Sequence, residues 1–225
     1  MDIIRVDLHL HTFHSPDSAN LPAAIVRTCL RRGLGCIAVT DHNRLGGALE
    51  IKALAPFPVI IAEEVKTTEG EIIGLFLKEE ISRGLSPEET AKQIRSQGAL
   101  VMIPHPFDRL RTSCLGEPAL LRLVAASLVD IIEVFNSRTS LLADSRRARQ
   151  FAEKHRLLMG GGSDAHSLRE IGQTYVEMAP FEDEKSFLRS LASGRVVGRR
   201  SNPSVHLSSM LARMQKRLNR PRSDK

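Results

Sequence analysis

Histidine and aspartate recur in this chain in four short runs: Asp7-Leu8-His9-Leu10-His11, Thr40-Asp41-His42-Asn43, Pro104-His105-Pro106 and Gly162-Ser163-Asp164-Ala165-His166. Five of the eight histidines fall within them. Imidazole nitrogen and carboxylate oxygen are the ligands that Zn²⁺, Mn²⁺ and Fe²⁺ accept. One such run carries little information. Four, each placed just after a strand-like stretch, point to one shared metal site. Residues i and i+2 on a strand share a face, so His9 and His11 can grip one ion or two neighbouring ions, as can Asp164 and His166. Gly160, Gly161 and Gly162 let backbone come close just before Asp164. Pro104 and Pro106 stiffen the chain around His105.

About seven to nine such ligands hold two or three divalent ions. Those ions make hydroxide available at neutral pH and clamp the attacking and leaving oxygens of a phosphoryl group. Glu64 is the candidate to bridge a pair of ions. Its neighbour Glu63 points to the opposite side of a regular strand.

The elements that must position these residues follow from periodicity and punctuation. Strands are expected at Arg5–His11, Gly35–Thr40, Phe57–Glu64, Ile72–Lys78, Ala99–Ile103, Asp130–Val134, Arg156–Met159, Gln173–Met178 and Arg195–Arg199. Helices are expected at Leu21–Arg32, Gly46–Ala55, from Ser86 to about Gln97, and at Glu117–Ala126, Thr139–His155 and Glu182–Ser193. Ser86-Pro87-Glu88-Glu89 has the makings of a capped helix start. Alternating strands and helices with short connections describe a parallel α/β architecture, in which the C-terminal strand ends share a rim.

Composition narrows the class. The chain has 225 residues and a hydrophobic fraction of 42%, enough for one large core. No Trp and a single Tyr argue against single-stranded nucleic-acid binding by base stacking. Three cysteines in no CxxC pair, no apolar leader and no membrane-length apolar run fit a reduced, cytoplasmic setting. The formal charge of +6 sits almost wholly in the last twenty residues, where six Lys and Arg face Asp224 alone. One domain is therefore expected at residues 1–200, followed by a basic, helical tail at 201–225. Leu207, Met210, Leu211, Met214 and Leu218 form a stripe in that tail. It either packs on the body or leaves the basic face for nucleic acid or an anionic surface.

The four motifs together resemble those of the PHP superfamily, named for polymerase and histidinol phosphatase, over most of residues 3–199. The resemblance implies a distorted (β/α)7 barrel with a metal cluster at the C-terminal rim of its strands. It implies phosphoesterase activity with manganese, zinc or iron. Carried over by motif, His9, His11, Glu64 and Asp164 would hold a first ion, and Glu64 would bridge to a second that also takes His105. Asp17, His42 and His166 would hold a third. Asp17 lies in the loop His14-Ser15-Pro16-Asp17-Ser18, where some relatives use His. Relatives also place a His near Asp130–Val134, where this chain has Glu133-Val134-Phe135-Asn136. The second ion would then take Asn136, Glu133 or water, and the choice between two ions and three stays open.

Further roles are expectations of the same kind. Asp164 belongs to the catalytic set, and His42, His166 or a water would pass a proton to the leaving oxygen. Asp7 and Asp41 either orient a ligand imidazole or cap turns. Arg138 and Lys66 are candidates for the substrate phosphate, with Arg109 and Arg111 behind them. Residues 107–117 could form a short lid. His14, His155 and His206 read as ordinary hydrogen-bonding or core histidines. The substrate expected is a nucleotide, a short nucleic-acid end or a small phosphorylated metabolite, including a histidinol-phosphatase type of monoester. The alternative is a metal-binding regulatory module without catalysis. Oligomeric state is open.

Overall fold

A computed structural model describes residues 2–202 and 205–218. Sixteen elements follow one another: β1 (Ile4–Leu10), α1 (Pro22–Arg32), β2 (Cys36–Val39), α2 (Gly46–Leu54), β3 (Val59–Lys66), β4 (Glu71–Leu75), α3 (Pro87–Ser96), β5 (Leu100–Ile103), α4 (Glu117–Ala125), β6 (Ile131–Asn136), α5 (Leu142–His155), β7 (Leu158–Gly162), β8 (Thr174–Met178), α6 (Glu184–Ala192), β9 (Arg195–Gly198) and α7 (Val205–Leu218). The expected helix signals are in use. Gly33 ends α1 in the left-handed region, and Ser86 and Glu89 cap each other at the start of α3. Among the described residues no helix is long and apolar enough to cross a membrane.

The nine strands form one sheet in the order β7-β6-β5-β4-β3-β2-β1-β8-β9. It curls into a nearly closed barrel. The seam lies between β1 and the chain leaving β7, where Asp164 N–H donates to His9 O at 2.7 Å and His11 N–H to Ala165 O at 3.0 Å. The barrel is not wholly parallel. β1, β2 and β3 run together, as do β5, β6 and β7. β4 runs against both its neighbours, and β8 and β9 are antiparallel additions beside β1. The cause is connection length: only Thr67–Gly70 joins β3 to β4, too little for the crossover that a parallel pair requires.

Two apolar layers hold this shape. Val6, Leu8, Ala38, Ala62, Met102 and Ile131 fill the barrel interior, and Phe187 and Leu191 of α6 join them. Ile25, Ile51, Ile94, Leu120 and Phe151 from α1 to α5 pack on its outside against residues such as Ile37, Val101 and Ile132.

Two expectations need correction. In the strand expected at Arg5–His11, regular alternation would put Val6, Leu8 and Leu10 on one face, but a register shift between Asp7 and Leu10 leaves Leu8 in the interior cluster and Leu10 in the outer one. The glycine run does not follow β7 but forms its end, because a Cβ at Gly162 would stand 2.3 Å from His9 Cβ. Of the α7 stripe, Met210 and Met214 are 52% and 53% exposed, while Ser209 and Arg213 of the same helix bond to Arg138 and Asp17. Residues 219–225 and the side chains of Leu207, Leu211 and Leu218 lie outside the described residues.

Candidate metal centre

Each parallel strand delivers its ligand-type residues at its C-terminal end. β1 carries His9 and leads into His11, β2 leads to His42, β5 to His105, and β7 to Asp164 and His166. β3 holds Glu64 within its last residues. The register shift in β1 turns both His9 and His11 away from the outer layer and into the mouth. His105 and Asp164 have φ of 33° and 52°, so the chain bends through the left-handed region at both positions. Both Asp and His tolerate that region better than most residues.

The side chains converge. His9 Nε2 is 3.2 Å from His11 Nε2 and 3.4 Å from Glu64 Oε2, and Asp164 Oδ1 lies 3.3 Å from His11 Nε2. His42 Nδ1 is 3.3 Å from Glu64 Oε2, and His105 Nε2 is 2.9 Å from Glu64 Oε1. Asp17 Oδ2 stands 3.3 Å from His166 Nε2 and 3.5 Å from His42 Nε2. Glu64 thus touches both halves of the cluster. Three groups have donor atoms within 4.8 Å of one another: His9, His11 and Asp164; His11, His42 and His166; and Glu64, Glu71 and His105.

Glu71 was not anticipated. Because β4 runs backwards, its first residue stands at the rim where its neighbours have their last. Glu71 Oε2 is 3.7 Å from His105 Nε2. Of the alternatives weighed for the vicinity of β6, Glu133 and Asn136 act differently: Glu133 accepts from His9 Nδ1 at 3.1 Å, and Asn136 Nδ2 donates to Glu133 and Asp164.

The remaining hydrogen bonds fix tautomers. Glu133 can only accept from His9 Nδ1–H, so Nε2 is the nitrogen that His9 presents to the centre. His166 Nδ1 donates to the Asp164 carbonyl at 2.8 Å, with the same result. Ser15 Oγ gives its proton to Asp41 at 2.8 Å, so it accepts from His11 Nδ1 at 3.1 Å. Asp41 therefore reaches an imidazole through Ser15, while it also holds Thr12 by backbone and side chain. Asp7 reaches no imidazole. It accepts from Ser163 N–H, Ser163 Oγ, Gly172 N–H and His9 N–H, and so ties the end of β7 to β1.

Burial works against charge here, yet the neighbours prevail. Burial raises Asp164, but the Arg111 guanidinium and His9 hold it well below the usual carboxylate range. Glu64 is likewise held low, by His9 and His42 and by a bond from His105. Burial, with His166 and His42 close by, lowers His11 to about 3 and keeps it neutral. Glu71 is raised by burial and by Glu64. Asp17 Oδ1, Asp164 Oδ1 and Glu71 Oε2 are buried without a hydrogen-bond donor among the described residues. Anionic oxygens without donors, beside imidazole nitrogens that face inward, are a donor set suited to divalent cations, which bind by displacing the imidazole protons.

The cluster opens into a cavity of about 690 Å³ whose lining includes Asp17, His42, Glu71 and His166. Lys66, Arg111, Arg138 and Arg213 line it too. Arg111 is the cation best placed at the ligands: its Nη2 donates to Asp164 Oδ2 at 2.6 Å. Arg138 is buried and bonds to Val205 O and Ser209 Oγ. Arg109 turns away to Asp144. Cys114 Sγ, 3.4 Å from His105 Nδ1, lies on the loop that carries Arg111. His14 pairs with Glu50 and His155 packs on Phe151, as ordinary histidines do; the side chain of His206 lies outside the described residues.

Comparison with known proteins places this arrangement. A family model described as PHP domain matches residues 7–98, and one described as PHP-associated matches residues 144–196. An uncharacterized protein of Methanocaldococcus jannaschii is 36% identical over 183 residues, 81% of this chain and 73% of its own length. A two-domain protein from Bacteroides vulgatus, described as containing a predicted PHP-like metal-dependent phosphoesterase, superposes with a TM-score of 0.70 at 17% identity, covering 94% of this chain and 70% of its own. An amidohydrolase from Chromobacterium violaceum, solved with sulfate and without metal, gives 0.62 at 18% identity over 86% of this chain and 97% of its own.

Proposed function

Because this chain belongs to the PHP family, we propose that its cavity hydrolyses a phosphate ester with two or three divalent ions, of manganese, zinc or iron, held by the converged ligands. One observation carries the reading: two of the three ligand groups, through His42, His166 and Glu71, reach the wall of a cavity that also carries four cationic side chains, and the third group adjoins them through His11. Guanidinium and ammonium groups at such a wall suit the oxygens of a phosphate. His9, His11 and Asp164 would hold one ion, Glu64, Glu71 and His105 a second, and Asp17, His42 and His166 a third beside His11. Bound there, such ions supply Lewis acidity toward the phosphoryl oxygens and lower the pKa of water.

The chain's own residues do the rest. Arg111 and Arg138 orient the phosphate from inside the cavity and Lys66 from its edge. Arg111 also keeps Asp164 anionic. Burial opposes a charge on His42, but Glu64 and Asp17 push it up to about 9. His42 and His166 both face the cavity beside Asp17, so either is placed to pass a proton to the leaving oxygen when it holds no ion itself. A nucleotide, a short nucleic-acid end and a small phosphorylated metabolite all fit this chemistry.

The test is a hydrolysis assay of the manganese-loaded protein on an aryl phosphate and a bis-aryl phosphate, with metal content measured in parallel. Turnover of either, lost together with bound metal in His9→Ala and Asp164→Ala, supports the proposal. Metal bound in full with neither ester cleaved would instead leave a metal-stabilised binding module.

A further inference from the structure

Helix α7 meets the metal centre with one polar face. Ser209, Arg213 and Lys216 are spaced four and three residues apart and so lie on the same side of the helix. Ser209 Oγ accepts from Arg138 Nη2 at 2.9 Å, and the Val205 carbonyl accepts from the same nitrogen at 3.2 Å. Arg213 Nη2 donates to Asp17 Oδ2 at 2.6 Å. Lys216 Nζ donates to the carbonyls of Phe13 and Ser15, in the loop that carries Asp17. The helix is thus fastened at three places along its length to the rim of the barrel.

Arg213 differs from the other two anchors. Its side chain is 57% exposed, yet it lines the cavity and reaches a carboxylate that is almost fully buried. That carboxylate also faces His42 and His166. Once Asp17 gives its charge to a divalent ion, the guanidinium loses most of its attraction to it and needs another anion within a short reach. A phosphoryl oxygen in the same cavity supplies one, and a guanidinium can take two such oxygens in parallel. Two exposed apolar side chains, Leu110 at 70% and Met210 at 52%, line the cavity as well, the first from the loop after β5 and the second from α7. The cavity therefore offers cations to a phosphate and apolar contacts to what the phosphate is attached to.

We propose that α7 is the substrate-selecting wall of the site: Arg213 contacts the phosphate of a compact ester, sized to the cavity of about 690 Å³, whose organic group lies against Leu110 and Met210. This deepens the phosphoesterase reading and rests on it for the identity of the ester, but the contact between Arg213 and phosphate is tested without turnover.

The measurement is the affinity of the full-length, manganese-loaded protein for inorganic phosphate by calorimetry, in wild type, Arg213→Gln and Arg213→Lys. Arg213→Gln should weaken phosphate about tenfold, the loss of one charge-assisted contact at a partly exposed position. Arg213→Lys should fall between, and bound manganese and the melting temperature should stay at wild-type values. In turnover, Arg213→Gln should raise KM for an aryl phosphate with kcat within about threefold. Met210→Ala should raise that KM while inorganic phosphate binds as before. Unchanged phosphate affinity in Arg213→Gln overturns the contact, and so does a loss of manganese in step with phosphate, which would make Arg213 only a support for Asp17. An oligonucleotide with a terminal phosphate cleaved as efficiently as the aryl phosphate overturns the choice of a compact ester. If wild type cleaves no ester while phosphate affinity still depends on Arg213, the hydrolase reading fails and the Arg213 contact stands.

Discussion

Glu71 competes with Glu64 for the same two imidazoles, 3.8 Å from His42 and 3.7 Å from His105. Two buried carboxylates so close repel unless a cation lies between them. Glu71→Gln should therefore bind about one divalent ion fewer per chain and lose at least about tenfold in turnover, as removal of one anionic ligand implies. Metal analysis showing a full complement in that variant would remove Glu71 from the centre. Glu63, next to Glu64 but facing the other way, gives a different kind of prediction. Burial pushes it from 4.5 to about 7, with only Ile81 N–H donating to it. Below pH about 4.5 the carboxyl is neutral folded and unfolded, and the fold bears no cost. Between 4.5 and 7 the unfolded chain releases the proton and the folded one keeps it, so stability falls as pH rises, and above 7 the loss is complete. Glu63→Gln keeps an acceptor for Ile81, so it should melt like wild type at pH 4 and be more stable by about 1–3 kcal/mol at pH 8. Equal melting curves at both pH values would show that Glu63 is not strained by burial. At this scale the sequence was informative where ligand types are rare and clustered, as in His9, His11 and Asp164. Glu71 is an ordinary glutamate in an apolar strand, and nothing local distinguishes it from Glu63; Glu133 came into view only through the resemblance, and as an ion ligand rather than as the acceptor of His9 Nδ1–H.

A single glycine shows how the elements set the site. Gly162 ends β7 against β1, and its missing side chain is what lets His9 pass; an added Cβ would also come within 2.7 Å of His9 N. Gly162→Ala should push β7 off β1 at a cost of about 1–3 kcal/mol, the usual penalty for overpacking a tight contact. It should also lower metal affinity, because His9 and Asp164 sit on opposite sides of that contact. A variant that binds metal as wild type does would mean the two strands adjust without moving their ligands. The succession of strands and helices was legible in periodicity and in signals such as Ser86 and Gly33. The register shift in β1 was not, because a one-residue irregularity leaves no trace in alternation until the partner strand is known. The reversed β4 could be foreseen only from the brevity of the Thr67–Gly70 turn, and that reversal hid Glu71.

At the level of the whole molecule, the position of α7 was hidden as well. Its stripe of Leu and Met looked like a docking face, but the barrel mouth offers anions and carbonyls, and Arg213 and Lys216 find partners there. The centre gathers Asp17, Glu64, Glu71 and Asp164 in one buried place, so ion binding and folding must be coupled. Stripping the ions with a chelator should lower the melting temperature by about 5–10 °C, if the free ion stood about a hundredfold above its Kd; a chelated protein that melts unchanged would uncouple the two. The seam of the barrel gives that coupling a location. A sheet bonded all the way round has no weak joint, whereas this one meets itself through a few backbone contacts at Leu10, His11, Asp164 and Ala165. His9 and His11 stand on one bank of that slit and Asp164 and His166 on the other, so ions gripped from both banks would act as rivets. The amide protons of His11 and Asp164 would then trade with solvent slowly while the rivets are in, and quickly once they are drawn.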